Sequence, residues 1–316
     1  MSPQRLGYLA HLLGKDYEKD GKRQRTPDLL LLLLNNAKGK EAVSVRVEVQ
    51  LAEFSEPAAR TVTVAAGETA AVSLSPVFSS SLYGLTEQKP GAVRLKVAEA
   101  SGRVLHEETE KVVLLGRNDF FWRDSTGRSW SPALAAFVTP HDGARRVDAL
   151  LRQAKDHCPL GAMVGYQEVQ GTARTTVVLL QMKAVFEALG AAGFSYVNAP
   201  FSADTRAQRI KYPSETLEDR SGNCIEAVLA FAAAFEAMGM QPVILVYEDH
   251  AQVAVRAWSD DPTLLVLETT LCGRGSFDDA SAAGAKRFRA AQDAKKPPEV
   301  VDVRQWRQMG IAPVPR

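Results

Sequence analysis

Cysteine is scarce in this chain: Cys158, Cys224 and Cys272 are the only three in 316 residues. They are scattered and odd in number, which excludes a disulfide framework. No C-x-x-C or H-x-x-x-H spacing occurs, so neither a zinc site nor any other metal or cofactor is expected. A reducing cytoplasm fits this usage best. Nothing approaches transmembrane length. Arg23 and Arg25 before the six leucines Leu29 to Leu34 imitate a secretory signal. That run is too short, starts late and lacks a small-residue cleavage site, so it reads as a buried strand. An excess of one charge is also missing, since 38 Lys and Arg face 37 Asp and Glu for a net +1. The basic clusters Lys15 to Arg25 and Lys286 to Lys296 are interrupted by acids or apolar residues. A nucleic-acid or membrane surface is therefore not indicated.

What is present is enough apolar residue, 46%, to bury sizeable cores, and enough length for about two domains. Residues 1–25 begin with Leu6, Leu9, Leu12 and Leu13 and then turn charged, which suggests one helix or an arm. From residue 26 to 116 the apolar residues alternate with polar ones. Val43, Val45, Val47 and Val49 do so, as do Val93, Leu95 and Val97. Turn signals such as Asn35-Asn36, Pro90-Gly91 and Ser101-Gly102 separate the runs. Short strands at this spacing predict an immunoglobulin-like β-sandwich. Residues 117–138 read as a connector, with Phe120, Phe121, Trp122 and Trp130 pinning the sandwich to the C-terminal region. Residues 139–316 mix helical and strand patterns, an α+β arrangement. Helices are expected near 142–157, 177–189, 224–238 and 278–294, and strands at 194–197, 242–247, 251–257 and 264–268. Residues 198–223 read as a loop.

Gly222-Asn223-Cys224 stands directly before the most apolar of these helices. A cysteine in a first helical turn meets unpaired N–H groups and the positive end of the helix dipole. The thiolate is the nucleophile, and this placement favours it. His250 follows the first strand of the pair and Glu268 the second. The step of 26 residues from Cys224 to His250 fits a helix, a turn and a strand. The step of 18 to Glu268 fits a hairpin that makes His250 and Glu268 neighbours. Nucleophile, base and orienting acid are what acyl transfer requires. Asp249 is a rival third member, although adjacent strand residues face opposite ways. Glu226 reads as a capping or dipole partner, and Cys158 and Cys272 read as structural.

Several motifs occur in a fixed order. They are Phe194-Ser195-Tyr196-Val197, the stretch Gln208 to Leu217, Ser221-Gly222-Asn223-Cys224-Ile225-Glu226, Gly239-Met240-Gln241-Pro242, Asp249-His250-Ala251, Leu267-Glu268-Thr269-Thr270 and Ser276-Phe277. Together they resemble the transglutaminase-like domain of bacterial papain-type cysteine proteases. The resemblance covers about two-fifths of the chain and does not reach the sandwich. It implies a papain-like fold with Cys224 as nucleophile, His250 as base and acid, and Glu268 where many relatives carry aspartate. It also implies that Gln208 donates its amide to the oxyanion beside the Cys224 N–H.

The expected activity is a cysteine peptidase or amidase acting on a protein or peptide through a thioester. An amine in place of water would make it a transglutaminase-type acyltransferase. A non-catalytic interaction module retaining the fold is the alternative of another class. A latent triad, covered by residues 198–223 or by the N-terminal arm until a partner or cleavage removes the cover, stands beside them. Pairing with a sandwich is compatible with a regulatory or dedicated partner protein.

Overall fold

The computed structural model describes residues 5–6, 10, 13–14, 16–19, 22–25, 28–123, 127, 129–198 and 208–314. Its class is α+β. The chain divides into two compact units, residues 1–117 with 308–316, and residues 118–307.

The first unit is built from strands. β1 (Arg5–Leu6) is the first, and β2 (Asp16–Lys19) pairs antiparallel with β3 (Lys22–Arg25). β4 (Leu30–Asn35), β5 (Val43–Leu51), β6 (Ala58–Val64) and β7 (Thr69–Leu74) come next. A four-residue helix α1 (Ser80–Tyr83) precedes β8 (Lys89–Glu99) and β9 (Val104–Leu114). A five-stranded sheet runs in the order β1-β9-β8-β5-β6, and β4 pairs with β7 separately. Val45, Val47 and Val49 alternate inward from β5 and meet Val72, Leu74 and Val97, with Leu30, Leu32 and Leu34 packed against them. Each such valine stabilises by roughly 1.5–3 kcal/mol.

Three expectations change here. The charged residues 16–19 and 22–25 are paired strands rather than part of a helix. Its strands are held across by Asp16, which pairs with Arg23 at 2.5 Å and Arg25 at 3.2 Å. The leucine run is a strand but not a buried one. Its period-two pleat turns Leu31 and Leu33 outward at 69% and 67% exposure. The strands divide five, two and two among the described residues, not in the four-and-three manner of an immunoglobulin constant domain.

The second unit starts at Asn118, earlier than the expected boundary at 139. The reason is aromatic packing. β10 (Asp119–Phe120) pairs antiparallel with β12 (Gln208–Arg209). Phe120 lies edge-on to Trp122 and to Phe137, and Phe137 stacks on Tyr212 at 4.9 Å. The supposed connector is thus part of this unit's core. The tail 308–316 clusters with the first unit. Helices α2 (Leu134–Phe137), α3 (Arg146–His157) and α4 (Arg174–Ala191) lead to β11 (Ser195–Tyr196). The segment read as a loop carries β12, α5 (Pro213–Asp219) and β13 (Ser221–Gly222), and its residues 199–207 lie outside the described ones. Pro213 opens α5 with its fixed φ at the first helical position. α6 (Cys224–Ala237) is buried from Cys224 to Phe235.

A four-stranded antiparallel sheet, β16-β15-β14-β17, completes the unit from β14 (Pro242–Val246), β15 (Ala251–Trp258), β16 (Asp261–Leu267) and β17 (Glu299–Asp302). α6 lies against β14 and β15, and α7 (Phe277–Asp293) lies against β16. Phe288 and Ala291 of α7 pack on Val243, Leu245, Tyr247, Ala254 and Val266. The short α8 (Val303–Gln308) comes after β17. Among the described residues no helix is long and apolar enough to cross a membrane.

Candidate active site

The chain reaches Cys224 through a rigid approach. β13 pairs in parallel with β11, matching Tyr196 to Gly222. A Cβ at Gly222 would sit 3.1 Å from Glu226 Cβ and from Thr216 Cγ2, so glycine lets the strand pass close to the helix start. Asn223 then caps α6. The Glu226 N–H donates to its Oδ1 at 3.1 Å, and the Asn223 N–H donates to Glu226 Oε2 at 3.0 Å. This is a capping box, and it settles Glu226 in the capping role. Glu226 Oε1 also accepts from the Lys211 N–H at 3.0 Å, which ties the 208–212 segment to the helix end. Cys224 is the first helical residue and is 2% exposed.

His250 stands one residue before β15 and Glu268 one residue after β16. The antiparallel register, with Val253 opposite Leu267, brings the two ends together. His250 Nε2 donates to Glu268 Oε2 at 2.9 Å. Cys224 lies close enough to the ring for its side chain to count among the causes that raise the His250 pKa. The structure thus joins His250 to Glu268 directly and sets both near Cys224. Asp249 points away: it is exposed and takes Arg287 at 2.6 Å.

The electrostatics reflect burial and pairing. Burial alone would disfavour the imidazolium of His250, but the hydrogen bonds to Cys224 and Glu268 and their charges raise its pKa to about 9. Burial likewise opposes the Glu268 carboxylate, yet His250, Gln252 and Thr270 hold its pKa down at about 2.

Two supporting residues were not singled out from the sequence. Gln252 is fully buried and donates Nε2 to Glu268 Oε2 at 2.9 Å. Thr270 donates to Glu268 Oε1 from its N–H at 3.1 Å and its hydroxyl at 2.7 Å. Glu268 therefore accepts from four donors, two on each oxygen. The signals existed. Gln252 is two residues from His250 on a strand, hence on the same face. Thr270 is two residues past an acid at a strand end, where a side chain turns back to cap the backbone. Tyr196 joins the site from β11. Burial and the charges of Cys224 and Glu268 push its hydroxyl up, while Arg274, 5.3 Å over its ring, opposes.

Gln208 has another partner than the one expected of it. Its Oε1 accepts from the Trp122 indole N–H at 3.0 Å, as β10 and β12 pair. Among the described residues no hydrogen bond joins it to Cys224. Cys272 is buried, its thiol is pushed up to about 12 by burial, and its sulfur bonds the Phe186 carbonyl. Cys158 is buried as well.

No family model matches the chain, and no curated protein or solved structure matches it either.

Proposed function

We propose that this chain is a cysteine peptidase or amidase of a transglutaminase-like, papain-like kind, acting on a protein or peptide. The observation that carries the reading is the Glu268 carboxylate. Four donors hold it, one of them the His250 ring, whose pKa is raised by the cysteine at the helix start as well as by Glu268. A carboxylate fixed this way sets the imidazole's orientation and stabilises its charged form.

In this reading His250 takes the Cys224 proton to give a thiolate–imidazolium pair. The sulfur attacks the substrate carbonyl carbon and a C–S bond forms. The resulting oxyanion lies near the N–H groups at the start of α6. The C–N bond then breaks, with the Nδ1 proton going to the leaving amine. His250 next takes a proton from water, the hydroxide attacks the thioester, and acid and thiol are released. The strand-built first unit serves to hold the substrate or a regulatory partner. Three free, buried thiols suit a reducing cytoplasm.

A neutral alkylating probe at pH 7, with modified peptides assigned by mass, tests the reading. Cys224 is expected to react at least tenfold faster than an unperturbed thiol at the same pH, and His250→Ala to remove the advantage. A Cys224 that reacts no faster than free cysteine overturns it.

A further inference from the structure

We propose that Tyr247 is a positioning residue for this site, acting through the side-chain amide of Gln252 to hold the Glu268 carboxylate against His250. The proposal rests on the triad reading given above. It comes from which groups can donate. A glutamine amide offers a carbonyl on one side and an NH2 on the other, and half a turn of its last torsion exchanges them. Gln252 is fully buried, so no solvent is at hand to satisfy a wrong choice. Its amide lies between Glu268 Oε2 at 2.9 Å and Tyr247 Oη at 2.8 Å. Ionised Glu268 only accepts, so the NH2 must face it. The carbonyl then faces Tyr247, and the tyrosine must donate.

Only a protonated hydroxyl can fill that role. Burial pushes the Tyr247 hydroxyl up to about 12, with Arg287 opposing and the Glu268 charge adding to the rise. It therefore stays a donor through neutral and mildly alkaline pH. Were the amide reversed, its carbonyl would face the carboxylate and its NH2 the phenol. The donor at Tyr247 thus fixes the sense of Gln252, and Gln252 keeps its share of Glu268.

Tyr247 is itself well placed. Its N–H donates to the His250 carbonyl at 2.8 Å, so one short turn carries both the tyrosine and the base. The Arg287 guanidinium covers its ring at 4.9 Å and also bonds Asp249 at 2.6 Å. The ring belongs to the core with Val243, Leu245, Ala254 and Val266. Phenylalanine would keep that packing and remove the donor alone.

The test uses the full chain with Tyr247→Phe, Gln252→Met and the double variant. Two quantities are read: the Glu268 carboxyl titration by carbon NMR in a Cys224→Ala background, and the alkylation rate of Cys224 at pH 7 by chloroacetamide. Tyr247→Phe is expected to raise the Glu268 midpoint by about one pH unit. It is expected to slow alkylation by about three- to tenfold. The double variant should be no worse than Gln252→Met, because both changes cut one chain of bonds. An unchanged Glu268 midpoint with alkylation within about twofold, or losses that multiply in the double variant, overturns the proposal. Should Gln252→Met fail to fold, the Tyr247→Phe titration decides alone. If wild-type Cys224 proves no more reactive than a free thiol, the enzyme reading falls, and the Glu268 titration still decides the role of Tyr247.

Discussion

Replacing Glu268 with glutamine removes the charge and turns one of its two acceptor oxygens into a donor, so the bonds on that side go with it. In the native chain His250 is raised from 6.5 to about 9 against the pull of burial. At about 1.4 kcal/mol per tenfold, that difference is worth about 3 kcal/mol in favour of the imidazolium. Glu268 and Cys224 supply it together. If Glu268→Gln returns His250 to the neighbourhood of 6.5, the proton population changes sharply. At pH 8 the native ring is about nine-tenths protonated and the variant's about 3%. At pH 6 the two differ by less than a factor of about 1.5. NMR titration of the ring measures this directly, with the signal assigned among five histidines by its loss in His250→Ala. Cys224 alkylation by a neutral reagent should fall in parallel, because the thiolate loses its counter-ion. The reasoning is refuted if the variant's His250 midpoint lies within about 0.3 of the native value. It is equally refuted if the native ring titrates at or below 6.5, since burial would then have outweighed both partners.

The same pair sets stability against pH. Glu268 is depressed to about 2, so its contribution is present above about 4.5 and lost as pH falls through 2. His250 is raised to about 9, so the contribution seen from its side is complete below 6.5 and lost as pH rises through 9. Denaturation of the native chain and Glu268→Gln should therefore differ most between about pH 4.5 and 6.5, by up to about 3 kcal/mol counted once for the pair, and converge towards pH 2. Asn223→Ala removes the α6 cap and should cost about 1 kcal/mol in chemical denaturation. Gly284→Ala tests the seating of α7. Its Cβ would lie 3.0 Å from the Val266 carbonyl and 3.1 Å from the Glu268 nitrogen. Alanine's helix preference of about 1 kcal/mol should be outweighed by the clash with backbone, for a net loss of about 1–3 kcal/mol and a slower Cys224.

The site was legible where chemistry is written in sequence order. Cys224 after Gly222-Asn223 announces a capped helix start, and two apolar runs separated by a turn announce a hairpin whose ends carry His250 and Glu268. Period two also exposed most strands of the first unit. The failures have physical causes. Leu29 to Leu34 is uniformly apolar, so periodicity could not say that only alternate leucines are covered; that depends on a two-stranded sheet having one free face. Phe120 and Trp122 gave no sign that they would join Gln208 and Tyr212, nearly ninety residues on, in one core. The charged strands at 16–19 and 22–25 are held by Asp16 reaching both Arg23 and Arg25, a cross-strand geometry that helical reading of the preceding leucines obscured. Gln208 was placed by resemblance alone, and its carbonyl went to an indole that spacing does not predict.

The presence of glutamate rather than aspartate at 268 has a geometric reason. The β15–β16 register pairs Val253 with Leu267, so the next step sets Glu268 across from Gln252 and diagonal to His250. A diagonal neighbour is about 7–8 Å away between α carbons, against about 5 Å for a direct one. Glutamate spans that diagonal: Oε2 reaches His250 at 2.9 Å while Oε1 still takes both donors of Thr270. Aspartate is shorter by one carbon–carbon bond, about 1.5 Å. From the same backbone position it can keep the local Thr270 bonds or reach towards His250, but not both. The backbone has little freedom to help, because the Glu268 N–H donates to the Ala280 carbonyl of α7 at 3.0 Å. Glu268→Asp is therefore expected to lower the His250 midpoint to a value between those of the native chain and Glu268→Gln, although its charge is unchanged. A midpoint equal to the native one would show that charge alone, and not reach, sets the imidazolium.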